Sequence, residues 1–200
     1  AHQVIQVISA NCGYIQATKL MRQKKYVLLD RDGVINHDSD AFIKSPDEWL
    51  PIDGSLKAIA LLSKNDYQVI VITNQSGVGR GHYSDATLTD IHLKMIRMVK
   101  AAGGEISHIY CCPHLPDAGC ECRKPKPGML LQFSKDADVA LDDIYFIGDS
   151  LRDIEAGIAA GAKALLVRTG NGEKTLAAHP ELNVPNFENL YDAAEYILSR

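Results

Sequence analysis

Aspartates close two apolar runs of the chain. Asp30-Arg31-Asp32-Gly33 follows Tyr26–Leu29, and Gly148-Asp149 follows Ile144–Ile147. Two aspartates two residues apart at a strand end can point the same way. Neighbouring carboxylates repel and must be offset by a cation. Three hard oxygen ligands suit Mg2+. One carboxylate can also act as a nucleophile, forming an aspartyl-phosphate, and a second is then free for proton transfer. Thr73-Asn74 closes the run Gln68–Ile72, and the run Ile106–Cys111 leads through a cysteine-rich loop to Arg123-Lys124. Thr73 and backbone N–H groups can hold phosphoryl oxygens, and Lys124 can balance developing charge. Alone, each residue is ordinary: Asp is a frequent turn former, and a Lys is usually a solvated surface charge. Four matching strand ends in order favour phosphoryl transfer.

Cys112-Pro113-His114 and Cys120-Glu121-Cys122 form a second constellation. Four soft or borderline ligands in two close pairs suit a tetrahedral structural Zn2+ with no open position for catalysis. Zinc there would stiffen the loop that aims Arg123 and Lys124. Free thiols or a labile disulfide are the alternatives. Cys111 is left over and is expected to be a small buried strand residue pointing away. Five cysteines, four of them in one stretch, do not form a secreted disulfide framework. The apolar patch Val4–Ile8 has no basic residue before it, whereas Lys19, Arg22, Lys24 and Lys25 follow it. That order is the reverse of a signal peptide. The expected location is cytoplasmic.

These residues need a scaffold. The chain has 200 residues, 46% hydrophobic and 23% charged, with a net charge of −4. The composition excludes intrinsic disorder and a broad nucleic-acid coat, and no run is long enough to span a bilayer. Arg123, Lys124 and Lys126 make a local basic site for an anion. Five apolar runs read as buried strands: Tyr26–Leu29, Gln68–Ile72, Ile106–Cys111, Ile144–Ile147 and Ala164–Val167. Helices are expected over 55–63, 84–102, 127–136, 151–160 and 190–199, with Ser84 as an N-cap. Ser76–Gly81 reads as a glycine-rich loop. The alternation predicts an α/β fold, a central parallel sheet with helices on both faces. In such sheets ligands bind outside the carboxyl ends of the strands. Residues 1–23 are expected to be an N-terminal extension outside the fold, with Met21 the expected start, and 24–200 a single domain.

Asp30-x-Asp32-Gly33-Val34, Thr73, Lys124 and Gly148-Asp149-x-x-x-Asp153 resemble the haloacid dehalogenase (HAD) superfamily of phosphatases. Receiver domains use similar residues but carry the phosphoacceptor on a later strand than the acidic pair. Further strings narrow the likeness: Tyr110 to His114, Cys120 to Leu130, Thr73 to Gly77 and Arg80-Gly81. They resemble the D-glycero-D-manno-heptose-1,7-bisphosphate 7-phosphatase family of the histidinol-phosphatase-like group, over about residues 24–170. The resemblance implies a Rossmann-like HAD fold with a zinc-binding loop and no large cap. It implies Mg2+-dependent hydrolysis of the 7-phosphate through an aspartyl-phosphate, in the synthesis of nucleotide-activated heptose for lipopolysaccharide and other surface glycans. Asp30 would be the nucleophile and Asp32 the acid/base. Thr73 and Lys124 would stabilise the phosphoryl group. Asp38, Asn74, Gln75, Ser76 and Arg123 would contact substrate, Arg123 taking its second phosphate. Mg2+ would be held by Asp30, the backbone carbonyl of Asp32, and Asp149, with Asp153 behind them. Zn2+ would be held by Cys112, His114, Cys120 and Cys122. The expected partner is a small sugar bisphosphate, with no nucleic acid or membrane, and the expected state is a monomer. Histidinol-phosphate phosphatases share the zinc loop and the string Cys122-Arg123-Lys124-Pro125. A non-catalytic phospho-aspartate domain would not need Asp32. Two segments depart from the family pattern: Asp38 to Phe42, where Gly-Tyr is usual, and Ser150, where Lys is frequent.

Overall fold

A computed structural model describes residues 24–200. The expected N-terminal extension, the Met21 start and Cys12 lie outside the described residues. Six strands form one parallel sheet: β1 (Lys25–Leu29), β2 (Tyr67–Asn74), β3 (Ile106–Cys112), β4 (Tyr145–Gly148), β5 (Lys163–Val167) and β6 (Asn186–Phe187), in the order β3-β2-β1-β4-β5-β6. The helices are α1 (Ser55–Lys64), α2 (Ser76–Gly79), α3 (Asp85–Ala101), α4 (Gly128–Ala137), α5 (Leu151–Ala160), α6 (Gly172–Ala178) and α7 (Leu190–Leu198).

Strand side chains alternate between two apolar layers. Val27, Leu29, Val69, Val71 and Ile147 pack with Ile59 and Leu62 of α1, Ile91 and Met95 of α3, and Ala193 and Ile197 of α7. Tyr26, Leu28, Ile70, Ile72 and Phe146 pack with Leu130 and Phe133 of α4 and Ala156 of α5. Burial on both faces is why the strands read as continuous apolar runs. The expected fold class is what the structure shows. Among the described residues no helix is long and apolar enough to cross a membrane.

Three details differ from the sequence expectation. Four residues of the expected loop at Ser76 form α2, with Arg80 N–H donating to Ser76 O at 2.9 Å. β6 and α6 were not foreseen. β6 has two residues and α6 seven, too few for a periodic pattern. The Ser84 cap is present, its hydroxyl accepting from Thr87 N–H at 3.1 Å.

The strand order runs outward in both directions from β1 and β4. A crevice therefore opens at the carboxyl ends of these two strands. Asp30 follows β1 and Asp149 follows β4, and Asp30 N–H continues the ladder to Ile147 O at 2.9 Å.

Candidate active site

Asp30, Asp149 and Asp153 place carboxylate oxygens within 4.8 Å of one another, and all three are buried. One ammonium faces them. Lys124 Nζ lies 2.9 Å from Asp30 Oδ1 and 2.7 Å from Asp153 Oδ1, and donates to Ile72 O at 2.8 Å. Asn74 fixes the backbone of Lys124, its side chain accepting from Lys124 N–H and donating to Lys124 O, each at 3.1 Å. Burial pushes the Asp30 carboxyl up to about 7, Lys124 opposing and Asp153 and Asp32 adding to the rise. Burial, Asp153 and Asp30 push Asp149 up to about 8. Burial would raise Asp153 too, but Lys124 and the Ser150 hydroxyl outweigh it and hold the group low. With every group ionised, the three carboxylates outnumber the one lysine bonded to them, so the cluster itself is net negative and attracts a cation. The donor set, all carboxylate oxygen, fits Mg2+.

The Asp149 pocket is shaped by two glycines. A Cβ on Gly33 or Gly170 would overlap Asp149 Oδ2, and both have positive φ, 80° and 59°. Thr169 ties the two loops by donating to Gly33 O at 2.6 Å. Asn171 N–H donates to Asp149 Oδ2 at 2.7 Å.

Asp32 lines the same cavity but has its own set of partners. Its carboxylate accepts from Arg31 Nη2 at 2.9 and 3.0 Å, from Asn36 Nδ2 at 2.9 Å and from Gln75 Nε2 at 2.7 Å. These donors outweigh burial and hold Asp32 below the usual carboxylate range. Arg31 is itself buried, between Gln75 Oε1 at 3.0 Å and His92 Nε2 at 3.2 Å. Tyr83 O–H donates to Gln75 Oε1 at 2.8 Å. Thr73 lies beneath, fully buried, its hydroxyl accepting from Gln75 Nε2 at 2.9 Å.

Cys112, His114, Cys120 and Cys122 also converge. The Cys112 sulfur lies 3.1 Å from Cys122 and 3.7 Å from Cys120, and His114 Nδ1 lies 3.5 and 3.2 Å from the sulfurs of Cys112 and Cys122. Tetrahedral zinc with Zn–S bonds near 2.3 Å has ligand–ligand edges of roughly 3.4–3.8 Å. Two of these separations match such an edge and two, 3.1 and 3.2 Å, are a few tenths of an ångström shorter; three thiols and an imidazole are the donor set of a structural zinc, and none of these cysteines is in a disulfide. Cys111 is outside the cluster and half-buried rather than buried, with burial raising its thiol to about 12.

A family model described as HAD-hydrolase-like matches residues 121–193. The chain is 51% identical over 168 residues to D-glycero-beta-D-manno-heptose-1,7-bisphosphate 7-phosphatase of Pseudomonas putida, covering 84% of this chain and 94% of that protein. The Neisseria meningitidis serogroup A protein of the same name is 47% identical over 178 residues, covering 87% and 95%. The crystal structure of D,D-heptose 1,7-bisphosphate phosphatase from Bordetella bronchiseptica, complexed with magnesium and phosphate, superposes with a TM-score of 0.86 at 49% identity, covering 88% and 98%. The chain belongs to the D-glycero-beta-D-manno-heptose-1,7-bisphosphate 7-phosphatase family. Like the other members of this heptose phosphatase family, it is a phosphoric monoester hydrolase.

Relative to that family's sequence pattern, one departing segment walls the cavity over the cluster. The cavity is lined by Asp38, Ser39 and Phe42 on one side, and elsewhere by Asn74, Gln75, Ser76, Arg123 and Lys124. Phe42 holds φ at 64° and packs on His82, the two rings tilted by 41° with centroids 4.8 Å apart. A left-handed residue with a side chain carries strain of about 1–2 kcal/mol, which this ring contact helps offset. Ser150, the other departure, caps α5 instead of facing the cavity, its N–H donating to Asp153 Oδ2 at 3.1 Å. Lys126 corrects the expected basic trio. It pairs with exposed Glu121 at 2.8 Å and does not line the cavity.

Sequence reasoning missed Arg31, Arg152 and the loop Thr169–Asn171. Thr169-Gly170-Asn171-Gly172 stands at the carboxyl end of β5, on the same edge as every other site residue. That position was the available signal.

Proposed function

We propose that the protein hydrolyses the 7-phosphate of D-glycero-D-manno-heptose 1,7-bisphosphate in a magnesium-dependent reaction, within the synthesis of nucleotide-activated heptose. The observation that carries this reading is the buried Asp30–Lys124–Asp153 array at the floor of a cavity whose walls include Arg123. Asp30, Asp149 and the backbone carbonyl of Asp32 would hold Mg2+, which neutralises the charge of Asp30 and of the phosphoryl oxygens.

Asp30 then attacks phosphorus, and the bond to the sugar oxygen breaks as that oxygen takes a proton from Asp32. Water next gives a proton to Asp32 and attacks the aspartyl-phosphate. The bond to Asp30 breaks and inorganic phosphate leaves. The first step needs Asp32 protonated, against the pull of Arg31. An arriving phosphate supplies negative charge beside Asp32 and raises its proton affinity. Lys124 screens the charge that accumulates, and the buried Thr73 hydroxyl supports the amide of Gln75 that orients Asp32. Zinc would brace the loop from Cys112 to Cys122, and its thiolate ligands suit the reducing cytoplasm.

The test is phosphate release from both anomers of the heptose bisphosphate and from histidinol phosphate. The expected preference is for the bisphosphate. Asp30→Asn should lower kcat by at least about 10^3-fold. Release at the wild-type rate by this variant would end the nucleophile assignment.

A further inference from the structure

We infer that Arg152 is a specificity-determining residue that seats, together with Arg123, the phosphate that is not cleaved. The inference rests on the bisphosphate reading above.

Four cations line the cavity: Arg31, Arg123, Lys124 and Arg152. Two are already committed. Lys124 is held by Asp30, Asp153 and Ile72 O, and Arg31 by Asp32, Gln75 and His92. Arg123 makes one hydrogen bond, to His114 O at 3.2 Å. Arg152 makes no hydrogen bond or ion pair among the described residues. Two guanidinium groups therefore face one cavity with most of their donors unused. Arg123 also feels the like charges of Arg152 and Arg80. Among the described residues no carboxylate oxygen lies within 4.0 Å of either guanidinium, and cationic groups lining a cleft raise the local concentration of an anion. A phosphate monoester dianion suits paired forked donors.

The backbone fixes the spacing. Arg152 directly precedes Asp153, whose buried carboxylate holds Lys124. α5 thus presents one residue inward to Lys124 and its neighbour to the cavity.

Arg152 also stands within electrostatic reach of Asp153, Asp30, Asp149 and Asp38. Its competing role is to screen these carboxylates. Screening would affect all substrates alike, whereas a phosphate seat acts only on a second phosphate.

The experiment compares kcat/KM for heptose 1,7-bisphosphate with that for heptose 7-phosphate in wild type, Arg152→Ala and Arg152→Lys. The expected result is a bisphosphate preference in wild type that falls roughly tenfold in Arg152→Ala, through KM, and is partly restored in Arg152→Lys. A preference unchanged in Arg152→Ala, or equal losses on both substrates, overturns the proposal alone. A wild-type enzyme with no bisphosphate preference overturns the bisphosphate reading and this proposal with it.

Discussion

Asp30 and Asp149 are carboxyls whose ordinary value near 3.8 is pushed to about 7 and about 8, by burial first and then by neighbouring carboxylates, Asp153 and Asp32 for Asp30 and Asp153 and Asp30 for Asp149. The folded chain therefore keeps protons on both that the unfolded chain has released. Without metal, stability is highest below about pH 4 for these two groups and declines as pH rises to about 8. A bound divalent cation reverses the penalty, because it favours the ionised forms. The melting temperature of metal-free protein should drop between about pH 6 and about pH 8.5, and added Mg2+ should raise it more at the higher pH. Differential scanning fluorimetry with and without Mg2+ checks this, and an equal Mg2+ shift at both pH values would count against the carboxylate cluster as the metal site. At this scale the sequence was most legible where function uses a side chain at a strand end: Asp30, Asp149 and Lys124. It was least legible at Asn171, which serves Asp149 chiefly through its backbone N–H. A backbone donor leaves no residue type to recognise.

Between β3 and α4 the chain makes a long loop whose two ends are held by different means. Cys112, the last residue of β3, anchors one end in the apolar layer, and Asn74 grips Lys124 at the other. The other three zinc-type ligands, His114, Cys120 and Cys122, lie between. Metal analysis of the purified chain should find about one zinc per molecule. The double variant Cys120→Ser, Cys122→Ser should lose it, melt several degrees lower and lose activity, since Arg123 and Lys124 are then aimed by a looser loop. A zinc-free variant with full activity would contradict the bracing role. The ligand pattern was readable because metal spacing is local in sequence. The position of α2 was not, since its two glycines mask a helical turn that backbone bonds hold together.

For the molecule as a whole, the parallel sheet and its two helical layers followed from the apolar runs, but strand order did not. Order depends on which edges meet after long connections, and the runs look alike whichever neighbour they take. The central place of β1 is what brings Asp30 beside Asp149. Leu28, in β1 and fully buried against the layer of Phe146, tests how far the site depends on that core. Leu28→Ala should cost about 2–5 kcal/mol, read from urea unfolding, and a loss under about 1 kcal/mol would mean that the layer closes readily over the gap. Asp153 carries this connection one step further. Its carboxylate caps α5 through Ser150 N–H and pairs with Lys124 in the reaction centre. An amide so bonded exchanges its hydrogen with solvent only when the bond opens. The Ser150 amide is thus a built-in reporter, visible by NMR, of how often the Asp153 carboxylate lets go of the helix it caps.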